Sequence, residues 1–144
     1  MLLIKNGLVH DAVNREPYIA DILVDGGKIV KIEKDLCAEG AEIYDASGLE
    51  VYPGFVEAHC HTGLHGYGIG FEGADYNEMG DIVACHLRGI DAIEPRDETL
   101  VEAREAGVTT LCAGPGSANV LGGTFTVIKT IGCRVENMMI KEAV

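Results

Sequence analysis

Short apolar runs, separated by glycine and polar clusters, predict a series of β-strands in the first third of the chain. They lie at residues 2–9, 19–24, 28–33, 43–45 and 49–51. The Asp-Gly-Gly sequence at residues 25–27 suits the positive φ angles of a tight hairpin turn between the second and third strands. We therefore predict a small β domain over residues 1–52.

From residue 53 the pattern changes to that of alternating strands and helices. A Pro-Gly breaker precedes residues 55–61, which we predict to be a buried strand. Asp97 is a good N-cap for a helix that runs to Ala106, and Gly107 is placed to end it. The apolar residues that this helix would direct toward a sheet are Leu100, Val101 and Ala103.

Three further apolar segments follow this helix. Residues 108–112 are β-branched and uncharged, as expected of a parallel strand covered on both faces. Residues 125–131 and 135–140 are apolar enough to form additional strands. The strand, helix and strand between residues 55 and 112 predict a β-α-β unit, and thus an α/β fold for residues 53–144.

Candidate chemistry lies at the end of the predicted strand, at His59 and His61. Because side chains on a strand alternate faces, the two imidazoles share one face with Glu57, while Cys60 points to the other. Two neutral imidazoles can bind a divalent ion, but a zinc-like site needs three or four ligands. The alternative is that the His-x-His spacing arises by chance and one histidine simply packs in the core.

The sequence PGFVEAHCH at residues 53–61 resembles the signature of the amidohydrolase superfamily. The resemblance extends to residues 105–111, EAGVTTL, and to GPGSAN with GGT at residues 114–119 and 122–124. Residues 2–51 are similar to the short-stranded domain that precedes the barrel in imidazolonepropionase-like and dihydroorotase-like members. The chain thus resembles an N-terminal portion of this superfamily.

The resemblance implies a fold, a reaction and a cofactor. The fold would be a small β-sandwich-type domain followed by the first strands and helix of an incomplete TIM-like (β/α)8 barrel. The activity would be hydrolysis of a carbon–nitrogen bond other than a peptide bond, in a small-molecule amide and possibly a cyclic one, by a metal-activated water. His59 and His61 would bind the divalent metal, with zinc expected first and iron, manganese or nickel as alternatives.

Two features depart from the family pattern. The family usually has aspartate two residues before the first histidine, where this chain has Glu57. The family's later ligands and its catalytic aspartate lie beyond residue 144, and a barrel of this type takes roughly 250 residues. We therefore expect that this chain contains no catalytic residue and is inactive by itself. We also expect apolar sheet edges, which favour a homo-oligomer.

Glycine-rich segments supply candidate substrate-binding residues. Residues 63–95 form a long connection, which is either a lid or substrate loop or an irregular linker. Residues 114–124 follow the second predicted barrel strand, so they would lie at the same end of the barrel as the imidazole pair. The alternative is that they form a tight structural turn. We take His65, Ser117 and Asn119 as candidate substrate-binding residues.

Composition narrows the functional class. With 23 acidic and 11 basic residues the net charge is −12, which argues against nucleic acid and anionic membranes as partners. Five cysteines without paired spacing fit a cytoplasmic protein, and no apolar run reaches the ~18 residues of a membrane span. Besides the hydrolase we consider a non-catalytic module that binds metal or self-associates, and a binding protein that uses its glycine-rich loops.

Overall fold

A computed structural model describes residues 1–74 and 76–142 of the chain. The chain divides into two compact units, Met1–Pro53 and Gly54–Val144. This division lies one residue from the predicted boundary. The assignment of the two units to a sandwich-type domain and a barrel portion stays a prediction.

The first unit is built on one five-stranded sheet. Its strands are β1 Leu2–Val9, β2 Tyr18–Asp25, β3 Lys28–Glu33, β4 Glu42–Asp45 and β5 Glu50–Val51. The order is β3-β2-β1-β4, and β5 also pairs with β1. The hairpin between β2 and β3 turns at Gly26 and Gly27, whose φ angles of 54° and 75° confirm the predicted turn.

A bulge in β1 allows the backbone of this strand to bind the buried carboxylate of Asp21. Asn6 has a φ of 61°, and the register of β1 with β2 shifts between Ile4 and Gly7. The Asn6 N–H therefore donates to the side chain of Asp21, at 2.8 Å from Oδ1, rather than to a backbone carbonyl of β2. Lys5 Nζ donates to Asp21 Oδ2 at 2.6 Å, and the backbone N–H of Leu36 donates to the same oxygen at 2.9 Å. Asp21 thus ties two strands and the segment after β3 together.

The second unit contains a four-stranded sheet with the order β6-β7-β8-β9. The strands are β6 Phe55–Cys60, β7 Val108–Ala113, β8 Thr126–Lys129 and β9 Met139–Glu142. The helices are α1 Glu98–Glu105 and the single turn α2 Val135–Met138, and short 3-10 helices span Gly70–Gly73 and Gly89–Asp91. The core lies between this sheet and α1 and is formed by Leu64, Ile93, Leu100, Leu111, Ala113, Ile128 and Met138.

The strands β6 and β7 pair in the parallel manner of a β-α-β unit. Phe55 pairs with Val108 and Glu57 with Leu111 in parallel register, with α1 between the two strands in sequence. By contrast β8 runs antiparallel to β7, and β9 runs antiparallel to β8. The connection between β8 and β9, residues 130–138, is short for a parallel crossover, and residues 114–125 between β7 and β8 contain no crossover helix.

Three sequence-based predictions are corrected by the structure. The strand predicted at residues 135–140 begins only at Met139, because Val135–Met138 forms a helical turn before β9. The strand with the imidazoles is not buried: Phe55 and Val56 are 55% and 65% exposed, because β6 lies at the edge of the sheet. In the helix, Leu100 is buried as predicted, but Val101 is exposed.

The helix α1 begins as predicted. Asp97 is 4% exposed and its Oδ1 accepts a hydrogen bond from the backbone N–H of Thr99 at 2.9 Å. Its second oxygen accepts from the backbone N–H of Tyr67 at 3.2 Å, so the cap also fixes the loop after β6. Gly107, with a φ of 92°, follows the C-terminal end of the helix.

We expect Asp97→Ala to lower the free energy of unfolding of the second unit by about 1–2 kcal/mol, because it removes the N-cap. Hydrogen exchange of the amides of α1 and of Tyr67 would measure the effect locally. The control is Glu98→Ala, which removes an exposed first-turn carboxylate that interacts with the helix dipole. Equal protection of these amides in Asp97→Ala and the parent chain would contradict the prediction.

Candidate metal half-site

The imidazoles of His59 and His61 lie side by side at the end of β6. Their ring centroids are 5.6 Å apart and the ring planes meet at 80°. His59 is the penultimate residue of β6 and His61 follows its last residue. The strand's two-residue period therefore places both rings on one side, as the sequence predicts.

The hydrogen bond of His61 determines which of its nitrogens is available. His61 Nδ1 lies 2.7 Å from the carbonyl oxygen of Gly114, which follows β7. Because a carbonyl only accepts, Nδ1 must carry the proton. In the neutral ring Nε2 then has a free lone pair, which is the arrangement found in metal-binding histidines whose other nitrogen donates to a backbone carbonyl.

Phe125 forms an apolar wall beside the two imidazoles. Its ring centroid is 4.7 Å from that of His59 and 6.3 Å from that of His61. Gly114 makes this position possible, since a Cβ there would approach the Phe125 ring to 2.5 Å. The carbonyl of the same glycine accepts the hydrogen bond from His61. Gly114 therefore both binds His61 and leaves room for the Phe125 ring.

Glu57 is used by the backbone of its own strand. Its Oε1 accepts a hydrogen bond from the backbone N–H of His59 at 3.0 Å. Among residues 1–74 and 76–142 no group of three or more His, Cys, Asp or Glu side chains is arranged to hold a metal ion. The described part of the chain therefore offers two imidazoles, which is half of a tetrahedral donor set.

The loop after β6 is bonded to the connection between β7 and β8. Successive backbone bonds join Ala84 N to Leu121 O at 2.7 Å, Thr124 N to Leu87 O at 3.0 Å and Gly89 N to Thr124 O at 2.8 Å. These bonds join the two connections into one layer. Residues 82–89, which belong to the long connection of residues 63–95, are thus held by backbone hydrogen bonds.

The predicted substrate-binding residues have different surroundings. Asn119 donates from Nδ2 to the carbonyls of Glu78 and Asp81 at 2.9 and 2.6 Å, so its amide group joins the two connections. Ser117 is exposed in a turn. The ring centroid of His65 lies 4.3 Å from that of Tyr76. Their roles toward a substrate stay predictions.

Sequence reasoning missed Tyr76 and Phe125 as neighbours of the imidazoles. Tyr76 stacks on His61 at 5.2 Å with a ring angle of 16°. Neither residue lies near the histidines in sequence, and an aromatic residue in a glycine-rich segment is compatible with many environments. The one available indication was the glycine at position 114, which admits a bulky neighbour.

Cys60 in β6 and Cys112 in β7 are neighbours across the sheet. Cys60 Sγ is 3.7 Å from the carbonyl oxygen of Cys112. Burial, together with the nearby Cys60 thiol, raises the pKa of the Cys112 thiol above its ordinary value. Both cysteines are free and half-buried.

Comparisons with known proteins give consistent matches. No family model matches the chain. The amidohydrolase tasK of Hapsidospora irregularis is 36% identical over 117 residues, which cover 78% of this chain and 12% of that protein. A dihydroorotase of Streptococcus pneumoniae serotype 4 is 51% identical over 61 residues, covering 42% of this chain and 14% of that protein.

A solved structure is similar over nearly the whole chain. It is an amidohydrolase from Thermotoga maritima MSB8, with 38% sequence identity and a TM-score of 0.91 over 98% of this chain and 37% of that protein. The chain thus spans well under half the length of each of these three proteins. No helix among the described residues is long and apolar enough to cross a membrane.

Proposed function

We propose that this chain supplies two metal-binding imidazoles to a hydrolase that acts on carbon–nitrogen bonds other than peptide bonds. The proposal is supported by the similarity of the chain to the N-terminal portion of amidohydrolase superfamily proteins. The observation that carries the proposal is the hydrogen bond between His61 Nδ1 and the Gly114 carbonyl, because it leaves Nε2 free beside His59. In this proposal β6, α1 and β7 are the beginning of a TIM-like (β/α)8 barrel.

The chemistry of the donor set fits a divalent transition metal. Imidazole binds zinc, iron, nickel and copper well, and we propose zinc as the resident ion. When bound, such an ion acts as a Lewis acid and lowers the pKa of a bound water from about 15.7 to about 7. His59 and His61 would hold it, Gly114 would orient the His61 ring, and Phe125 would exclude water from one side of the pair.

The substrate that we propose is a small-molecule amide, possibly a cyclic one. The matched proteins are named amidohydrolase and dihydroorotase, which supports a reaction at a carbon–nitrogen bond. Since Glu57 is bonded to the strand backbone, no described carboxylate beside the imidazoles has an evident acid–base role. We therefore propose that the chain contributes ligands rather than the proton-transferring group and that it is inactive by itself.

Calorimetric titration with Zn²⁺ tests the metal-binding proposal directly. We expect one Zn²⁺ site per chain, and we expect His59→Ala and His61→Ala each to weaken binding by more than about tenfold, because each removes one of two described ligands. His86→Ala is the matched control, since His86 is an exposed histidine of the same unit. Its affinity should equal that of the parent chain.

The controls separate specific binding from binding to surface histidines. Loss of affinity in all three variants to the same degree would mean that Zn²⁺ binds nonspecifically, and unchanged affinity in His61→Ala would contradict the assignment. Repeating the titration with Mn²⁺ and Ni²⁺ would rank the candidate metals.

A self-associating module is a second candidate function, and it is favoured by the edge position of β6. Phe55 and Val56 expose 55% and 65% of their surface on this strand. An exposed apolar edge strand is a template for pairing with another chain, so we propose a homo-oligomer. Sedimentation velocity of the parent chain and of Val56→Lys tests this proposal. We expect an oligomer that the added charge disrupts, and a monomer in both cases would contradict the proposal.

A further inference from the structure

Tyr76 contacts two histidine rings. Its ring centroid is 5.2 Å from that of His61 with the planes at 16°, and 4.3 Å from that of His65 with the planes at 35°. The residue is half-buried and packs against the core of the second unit. His61 is thus covered by an aromatic plane that none of its sequence neighbours provides.

The position of Tyr76 is fixed by the connection after β7. The backbone N–H of Gly116 donates to the Tyr76 carbonyl oxygen at 2.5 Å. A Cβ at residue 116 would lie 2.7 Å from Tyr76 Cδ2 and 2.1 Å from Asn77 Oδ1, so this close approach requires glycine. The segment from Gly114 to Gly116 therefore contacts His61 through one carbonyl and Tyr76 through one N–H.

A single hydrogen bond does not fix an imidazole ring. A ring turns about its Cβ–Cγ bond, and a hydrogen bond at Nδ1 tolerates a range of angles, so the direction of the Nε2 lone pair is only partly fixed. A stacked aromatic plane removes this freedom, because the ring can turn only by losing the face contact. His61 has both restraints, which come from two different connections.

We infer that Tyr76 is a positioning residue that aligns the His61 imidazole, so that Nδ1 donates to Gly114 and Nε2 stays free to bind the proposed ion. The alignment of the ring is a property of the metal-free chain, whereas its use in metal binding rests on the proposed function. The contact between His65 and Tyr76 gives that histidine a supporting role in the stack.

The first test measures the protonation of the two His61 nitrogens without metal. Long-range ¹H–¹⁵N correlation spectra at about pH 8.5, above the ordinary titration range of imidazole, distinguish the Nδ1–H from the Nε2–H tautomer. We expect the Nδ1–H form in the parent chain and in Tyr76→Phe, which keeps the ring. In Tyr76→Leu we expect a mixture of the two tautomers.

The second test measures the consequence for Zn²⁺ affinity. By analogy with groups that orient metal-binding histidines, Tyr76→Leu should weaken binding by about tenfold and Tyr76→Phe by less than about twofold. Tyr67→Leu is the control, because Tyr67 is an exposed tyrosine of the same loop whose hydroxyl donates to Glu102 Oε1 at 3.4 Å. If Tyr76→Leu does not fold, Tyr76→Met supplies similar apolar volume without a flat ring.

The two tests distinguish failure of this inference from failure of the metal proposal. A shift of tautomer in Tyr76→Leu that is absent in Tyr76→Phe supports the positioning role even if the parent chain binds no Zn²⁺. An unchanged Nδ1–H tautomer in Tyr76→Leu overturns it, whatever the Zn²⁺ affinity of the parent chain is.

Discussion

Replacing Asp21 with asparagine is expected to lower the free energy of unfolding of the first unit by about 1–3 kcal/mol, since it leaves buried hydrogen-bond donors without their acceptor. Asp21 is 3% exposed, and each of its oxygens accepts backbone or lysine N–H groups. An asparagine of the same shape has only one acceptor oxygen. Its NH₂ group would face either Asn6 N–H or the pair formed by Lys5 and Leu36, and those donors would lose their partner.

The same carboxylate predicts how the first unit responds to acid. Burial raises the pKa of Asp21, but the hydrogen bonds from Lys5, Asn6 and Leu36 outweigh it, so the pKa lies below the ordinary value of 3.8. A carboxyl whose folded pKa is lowered stabilises the fold above its unfolded pKa and loses this contribution as pH falls through the folded pKa. Asp21→Asn should therefore show a shallower loss of stability below about pH 4 than the parent chain.

Hydrogen exchange of the β1 and β2 amides measures this stability within the first unit alone. The control is Asp25→Asn, an exposed residue at the end of β2, which should change stability by less than about 0.5 kcal/mol. A neutral effect of Asp21→Asn, or an acid response equal to that of the parent chain, would show that the carboxylate does not stabilise the sheet.

Replacing Gly114 with alanine is expected both to destabilise the second unit by about 1–3 kcal/mol and to weaken Zn²⁺ binding. The added Cβ would lie 2.5–2.8 Å from three atoms of the Phe125 ring, so the ring or the strand end must move. Phe125 contacts His59, and the Gly114 carbonyl accepts from His61. One methyl group thus disturbs both imidazoles through different contacts.

Gly122→Ala is the matched control for this substitution. A Cβ at residue 122 would meet its nearest atom at 3.9 Å, which is an ordinary contact distance. Thermal unfolding and Zn²⁺ titration of the two variants should differ, with Gly122→Ala close to the parent chain. If Gly114→Ala binds Zn²⁺ as the parent chain does, the prediction that crowding between residue 114 and Phe125 disturbs the imidazoles is wrong.

Several elements could be predicted because their causes are local. The β2–β3 hairpin follows from Gly26 and Gly27, and the start of α1 follows from the side chain of Asp97. The shared face of His59 and His61 follows from the period of a strand. Each of these depends on residues a few positions apart, so the amino-acid order contains the necessary information.

Other features depended on distant partners. The apolar residues of β6 predict burial, yet β6 lies at a sheet edge, and a pattern of apolar residues does not reveal how many neighbours a strand has. The same limit explains residues 135–140, whose apolar side chains fit a helical turn as well as a strand. Asn119 gave no local indication that it would bond to carbonyls 38 and 41 residues away.

The sequence by itself determined the positions of the early strands, the cap of α1 and the imidazole pair with its common face. Only the tertiary structure decided which nitrogen of His61 is free and which aromatic rings lie beside the pair. It also decided that the Glu57 carboxylate accepts a hydrogen bond from the backbone of its own strand. The physical reason is that a ring's tautomer and orientation depend on a carbonyl and on aromatic planes that the chain brings together from residues 114, 76 and 125.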